Sequence, residues 1–170
     1  MKTHKNTILI IALLFISNLI YSQENKKSDA GGWPERSEII GFWKMVDFPN
    51  REKMNKVDPW PQPYQWFAFY EDGRVFSMMT SSDGNYSKKE LEEIFEVLPK
   101  QGSQYFKYNG KFLILTIPDI EDYKEIWGMN LFAKDIGSKI KKGDLMMSLD
   151  DGNGNGNKSI IYYRLLRKIE

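Results

Sequence analysis

The chain has 170 residues, 14% of them aromatic, with one histidine, no cysteine and a formal charge of +1. Without cysteine there is no disulfide, no thiolate metal site and no lipid-modified cysteine to act as a tether. The one histidine, His4, lies in an apolar N-terminal segment that reads as removable, so Ser–His and Cys–His nucleophile pairs, His or Cys zinc sites and His-ligated haem are all excluded from the mature chain.

That segment carries Lys2 and Lys5 ahead of the apolar run "ILIIALLFI" (8–16) and ends in "LIYSQ". It has the three-part form of a secretory signal and is too short to span a bilayer comfortably. The cut is placed after Ser22, giving a signal peptide over 1–22 and export to the periplasm or medium; an uncleaved anchor is the alternative. Once the signal is cleaved, the chain is expected not to be an integral membrane protein. Loss of Lys2 and Lys5 brings the formal charge from +1 to −1. A near-neutral chain without a basic stripe offers nucleic acid no electrostatic footprint.

Residues 23–37 are polar and Gly-rich and read as a flexible leader, leaving 38–170 as one domain. "IIGFWKMVDF" predicts a strand with Trp43, Met45 and Asp47 on one face. The connection that follows holds Pro49, Pro59, Pro61 and Pro63, so it is no interior strand, and its length marks a functional loop or lid. Asp72-Gly73 then predicts a two-residue hairpin turn, pairing Phe69 with Phe76 and Phe67 with Met78. Between hairpins, Ser87 and Glu90 form a capping box ahead of Leu91, Ile94, Phe95 and Leu98 at helical spacing, and Pro99 stops the helix. Its apolar stripe is read as packing that covers an end or side of the sheet. Asn109-Gly110 predicts a second hairpin with Phe106 opposite Leu113, setting Phe106, Tyr108, Leu113 and Leu115 on one face.

The chain closes with three alternating runs: Trp127/Met129/Leu131, Leu145/Met147/Leu149 and Ile161/Tyr163/Leu165/Arg167. Strands are placed near 40–48, 64–71, 74–81, 103–109, 111–117, 124–134, 143–150 and 158–168. Short links favour antiparallel neighbours, and eight such strands can close on themselves. The expected fold is therefore all-β: an eight-stranded antiparallel up-and-down barrel with one short amphipathic helix between strands three and four. "DGNGNG" from Asp151 begins like a calcium loop, but the twelfth position, where a bidentate Glu is needed, is Tyr162. It reads as a Gly/Asn turn between the last two strands, and no metal is assigned.

The "IIGFWKM" opening resembles the G-x-W strand of lipocalins, and more closely that of lipocalin-like domains of small secreted bacterial proteins. "FAFYEDGRV", a Tyr-rich hairpin, a tryptophan-bearing sixth strand and the terminal "YYRLLRK" fit the same calycin-type plan over roughly 38–169. The resemblance implies a barrel with a closed base and an open mouth, with the Pro-rich loop at 49–63 as its lid. Its glycine and tryptophan match Gly41 and Trp43, and the family's basic residue over that tryptophan matches Arg167, with Arg164 as the fallback. The helix departs from the family plan, in which it follows the barrel.

The function expected is a lipocalin-like, non-enzymatic binding protein that holds a small hydrophobic molecule in the barrel without a cofactor. The ligand-facing positions are Met45, Asp47, Phe67, Phe69, Phe76 and Met78 from the first strands. Phe106, Tyr108, Leu113, Trp127, Met129, Met147 and Tyr163 complete the set. Asp47, Tyr108 and Tyr163 would orient the ligand, and Met with aromatics suits an adaptable apolar wall. The same side chains can equally fill the interior. The alternative function is an interaction module of a cell-envelope assembly, with Trp60, Trp66 and Tyr70 outside as a contact patch; the sequence names no protein partner. An enzyme would have to use carboxylate and tyrosine, with Asp47 and an inward tyrosine as the pair. The cluster Asp119, Glu121, Asp122 and Glu125 reads as a solvated loop.

Overall fold

Every strand predicted from alternation is present in the computed structural model, which describes residues 31–55, 60–98, 103–150 and 161–170. In chain order the strands are β1 (Gly41–Val46), β2 (Tyr64–Phe69), β3 (Arg74–Thr80), β4 (Gln104–Tyr108), β5 (Phe112–Thr116), β6 (Lys124–Leu131), β7 (Leu145–Asp150) and β8 (Ile161–Ile169). They form a closed barrel in sequence order, each antiparallel to the next. β8 closes on β1 from Phe42↔Ile169 to Val46↔Leu165, which removes the exposed edges of an open sheet. The helices are the single turns α1 (Arg36–Ile39) and α2 (Arg51–Met54) and the longer α3 (Lys88–Glu96), which lies between β3 and β4. Among the described residues no helix is long and apolar enough to cross a membrane. The expected signal peptide (1–22) and the expected Gly/Asn turn from Asp151 onward lie outside the described residues.

Apolar side chains line both surfaces of part of the wall. Inside, Trp43, Met45, Phe67, Phe69, Phe106, Leu113, Trp127, Met129 and Met147 join Val75, Leu145 and Leu166 in one buried core. Outside, α3 lays Leu91 and Phe95 over Phe42, Trp66, Ala68 and Phe76. Phe95 stacks on both Phe42 and Phe76, at 6.3 and 6.1 Å. The capping box is formed: the Ser87 hydroxyl accepts from the Glu90 amide, and the Glu90 carboxylate accepts from the Ser87 amide at 2.7 Å. A third cluster, Phe48, Ile140 and Leu165, packs the β6–β7 connection against the outside of β8.

The β2–β3 register differs from the expected one. Tyr70 and Arg74 close a loop of Glu71, Asp72 and Gly73, the Gly73 amide donating to the Tyr70 carbonyl. Gly73 takes φ +91°, a left-handed conformation natural to glycine. The loop is one residue longer than a two-residue turn, so Phe69 pairs with Val75 and Ala68 with Phe76. A one-residue slip turns every side chain of a strand to the opposite face. Phe76 and Met78 are thus outside, with α3, while Val75 and Ser77 take the inward positions opposite Phe69 and Phe67. The second hairpin pairs Phe106 with Leu115 and Tyr108 with Leu113. That slip is two residues, an even number, and the predicted face survives it.

Candidate functional site

The two ends of the barrel differ in chemistry. At the base, the segment expected as leader is tied down from Gly32, which exchanges backbone hydrogen bonds with Leu131. α1 then closes the end, its Ile39 fully buried and its carbonyl accepting from Trp43 Nε1 at 2.8 Å. Tyr108 donates to the Pro34 carbonyl at 2.7 Å, and burial, with Glu35 and Glu38 adding to it, pushes its phenol up to about 12. The cation over Trp43 is Lys168, at 5.3 Å, and burial lowers its pKa. Gly41 permits that approach, because a Cβ there would stand 3.0 Å from Lys168 Cε.

Arg167, matched to this role from the sequence, faces outward instead. Its guanidinium makes a two-pronged pair with the buried Asp144, at 2.9 and 2.8 Å, and donates to the Lys139 carbonyl. The reason is the inverted parity of β8, where Arg164 and Leu166 point inward and Tyr163 and Leu165 join the outer cluster. Tyr163 therefore does not line the interior. Its backbone, beyond the end of β1, is held by the side chain of Asn55, which donates to its carbonyl and accepts from its amide, both at 2.9 Å.

That anchor sits in the Pro-rich β1–β2 connection, which goes on to insert Trp60 into the other end of the barrel. Trp60 stacks on Trp127 with ring centroids 6.2 Å apart. The Arg164 guanidinium lies against this pair, 3.3 Å from the Trp60 centroid and 4.8 Å from that of Trp127. Beside this cluster is a cavity of about 190 Å³, walled by Phe67, Phe69, Val75, Met79, Leu115 and Met147 on its apolar side. Its polar wall is Gln65, Ser77, Gln104, Tyr123, Glu125 and Arg164.

A chain of hydrogen bonds fixes much of that wall. Gln104 donates to the Tyr123 hydroxyl at 3.0 Å, which donates to Glu125 Oε1 at 2.6 Å, while Trp127 Nε1 donates to Glu125 Oε2 at 2.9 Å. Burial pushes the Tyr123 phenol up to about 12, and its bond to Glu125 adds to the rise. Gln65 is 1% exposed, yet its side-chain oxygen has no hydrogen-bond partner. Such an orphan costs about 1–3 kcal/mol, so it marks a place where a partner belongs. The compartment reaches the surface where β3 and β4 part: they share only Arg74↔Tyr105 and Val75↔Gln104, and Ser77 and Met79 run past the start of β4.

Asp47 is not part of this wall. The strand ends at Val46, so alternation no longer directs its side chain, which pairs with Lys139 at the exterior; that hydrogen bond holds its carboxyl below the ordinary value. It meets no cavity tyrosine. Trp60, Trp66 and Tyr70 form no outer patch, because Trp60 is inside, Trp66 is fully buried against Tyr86 and α3, and Tyr70 is half-buried. Of the acidic cluster, Asp119, Glu121 and Asp122 are exposed, whereas Glu125 turns inward.

The polar wall was missed in the sequence although two of its members carry a signal there. Gln65-x-Phe67-x-Phe69 and Glu125-x-Trp127-x-Met129 each set a polar residue on the inward parity of an apolar run. Among the described residues no group of three or more His, Asp or Glu is placed to hold a metal ion. No protein-family model matches the chain, and neither a curated protein nor a solved structure matches it.

Proposed function

We propose that this chain is an exported, lipocalin-like binding protein whose ligand occupies the compartment beside Arg164. The observation that carries the reading is a buried side-chain oxygen, on Gln65, left without a partner at the wall of a cavity in the barrel. The 190 Å³ volume lies below the roughly 300–1,000 Å³ of sites for drug-sized molecules, which favours a small compact ligand over a long acyl chain. Both oxygens of Glu125 are engaged by protein donors, which supports binding rather than acid–base turnover. The closed barrel and the G-x-W strand support the lipocalin-like reading, and the charged, then apolar, N-terminal segment supports export.

The test is a thermal-unfolding and tryptophan-emission screen of small polar, anionic and apolar compounds against the full chain and a Ser77→Phe variant, which narrows the mouth of the cavity. A ligand should raise the melting temperature of the natural chain and lose that effect in the variant. Absence of any shift across the screen, or equal shifts in both proteins, would overturn the reading.

A further inference from the structure

The outside of the barrel is covered unevenly. α3 packs over β1, β2 and β3, and the β6–β7 connection packs over β8. Among the described residues, no outward side chain of β4, β5 or β6 belongs to either outer cluster. Tyr105, Phe112, Ile114 and Ile126 point outward there, because Phe106, Leu113, Leu115 and Trp127 on the other parity fill the core. Tyr105, Phe112 and Ile126, with Trp33 from the segment ahead of α1, are 36–47% exposed. Ile114 pairs directly with Ile126, and Phe112 lies two residues along the same face. Lys111 links Trp33 to them, its ammonium 5.1 Å from the rings of both Trp33 and Phe112. Exposed apolar groups gathered on one face, rather than scattered singly, mark a contact surface.

Charge says what that surface meets. Lys107, Lys111 and Lys124 are exposed, and none pairs with a carboxylate among the described residues. β4, β5 and β6 hold a single acid, Glu125, and it turns inward. Asp119, Glu121 and Asp122 belong to the β5–β6 turn, beyond the end of the face. The face therefore suits an anionic partner. The outer wall of a closed barrel is convex and projects its side chains rather than enclosing a ligand. Branched Ile114 and Ile126 at its centre give a nucleic-acid base no flat ring to stack on. Trp, Tyr and Phe set among lysines are the residues that settle at a bilayer interface, where a fluid surface moulds to a convex one.

We infer that this face docks the barrel side-on against an anionic lipid bilayer. Trp33, Phe112 and Ile126 enter the headgroup region, and Lys107, Lys111 and Lys124 meet the lipid phosphates. Each lysine at such a surface strengthens attachment about fivefold, so three together give about a hundredfold.

The chain has no cysteine, so a polarity-sensitive thiol dye can be placed at one chosen position. The full chain is labelled at Thr116→Cys, on the face, or at Glu93→Cys, on exposed α3, with the fold checked by circular dichroism. Each is titrated with vesicles of phosphatidylcholine alone or with phosphatidylglycerol added. The dye at position 116 should shift to the blue on the anionic vesicles only, and the dye at position 93 on neither. Changing Lys107, Lys111 and Lys124 together to Gln should raise the lipid needed for half the shift about a hundredfold. Dye position separates docking through this face from capture by the apolar N-terminal segment. No shift at position 116, an equal shift at position 93 or on neutral vesicles, or an unchanged titration in the Gln variant overturns the inference. A shift at position 116 with polyglutamate or an oligonucleotide but not with vesicles also overturns it, and gives the face to an acidic protein or nucleic acid.

Discussion

Arg164 lies 3.3 Å above the ring of Trp60, a residue more than a hundred positions earlier in the chain, and this contact ties the β1–β2 connection to the inner face of β8. A guanidinium on an indole face is favoured because it is flat and weakly hydrated, and such a contact is worth about 0.5–2 kcal/mol. An ammonium, being compact, cannot lie flat on the ring. Arg164→Lys should therefore cost nearly as much as Arg164→Met, about 1–3 kcal/mol in urea unfolding followed by tryptophan emission. A Lys variant as stable as the natural protein would show that charge alone is needed there.

The β2–β3 loop makes a separate prediction. Gly73 at φ +91° resists a side chain, and Gly73→Ala should destabilise the barrel by about 1–2 kcal/mol, with Gly73→Asn milder because Asn tolerates left-handed backbone. Phe76→Ala should cost about 3–5 kcal/mol, since it strips the outer face from beneath Phe95. Equal tolerance of both alanine variants would contradict the register.

Two neighbouring cations on β8 have unequal roles. Arg167→Leu leaves the Asp144 carboxylate, 1% exposed, without its charge partner, and should cost about 3 kcal/mol, the low end for a broken buried pair because Arg167 itself reaches solvent. Lys168→Met loses one cation–ring contact and should cost at most about 1 kcal/mol. Chemical denaturation of the two variants decides between the roles, and the opposite order would restore Arg167 to the base.

Alkaline stability should report on Tyr108 and Tyr123, whose phenols burial pushes from 10.0 up to about 12. Below pH 10 the folded and unfolded states both hold the proton, and the stabilisation is complete. Between pH 10 and 12 the unfolded chain releases protons that the folded chain keeps, so stability falls as pH rises through that window. Tyr123→Phe and Tyr108→Phe should each flatten the fall, measured by denaturant unfolding across the range. A slope unchanged in the double variant would refute the assignment.

Helix α3 depends on its first turn. Ser87→Ala removes the acceptor for the Glu90 amide and should cost about 1 kcal/mol, with earlier loss of helical signal than of tryptophan burial on heating.

Much of this molecule was legible as pattern. Trp43/Met45, Trp127/Met129 and Met147/Leu149 alternate across Lys44, Gly128 and Ser148, and Ser87 with Glu90 announces a helix start; these local rules carry strand positions, the helix and the closed all-β architecture. Facing was lost where both sides of a strand are covered. β3 carries Phe76 and Met78 on one parity and Val75 and Met79 on the other, and β8 sets Leu165 beside Leu166, so apolarity alone could not say which side meets the core.

The long-range contacts made those choices. α3 gives Phe76 a buried home outside the barrel, the β6–β7 connection does the same for Leu165 and brings Asp144 to Arg167, and the returning loop sets Trp60 over Arg164. Alternation along a strand is a local property of the backbone and can be read from one segment. Which alternate face is inside depends on what else in the chain arrives to cover the other, and only the closed barrel brings those segments together.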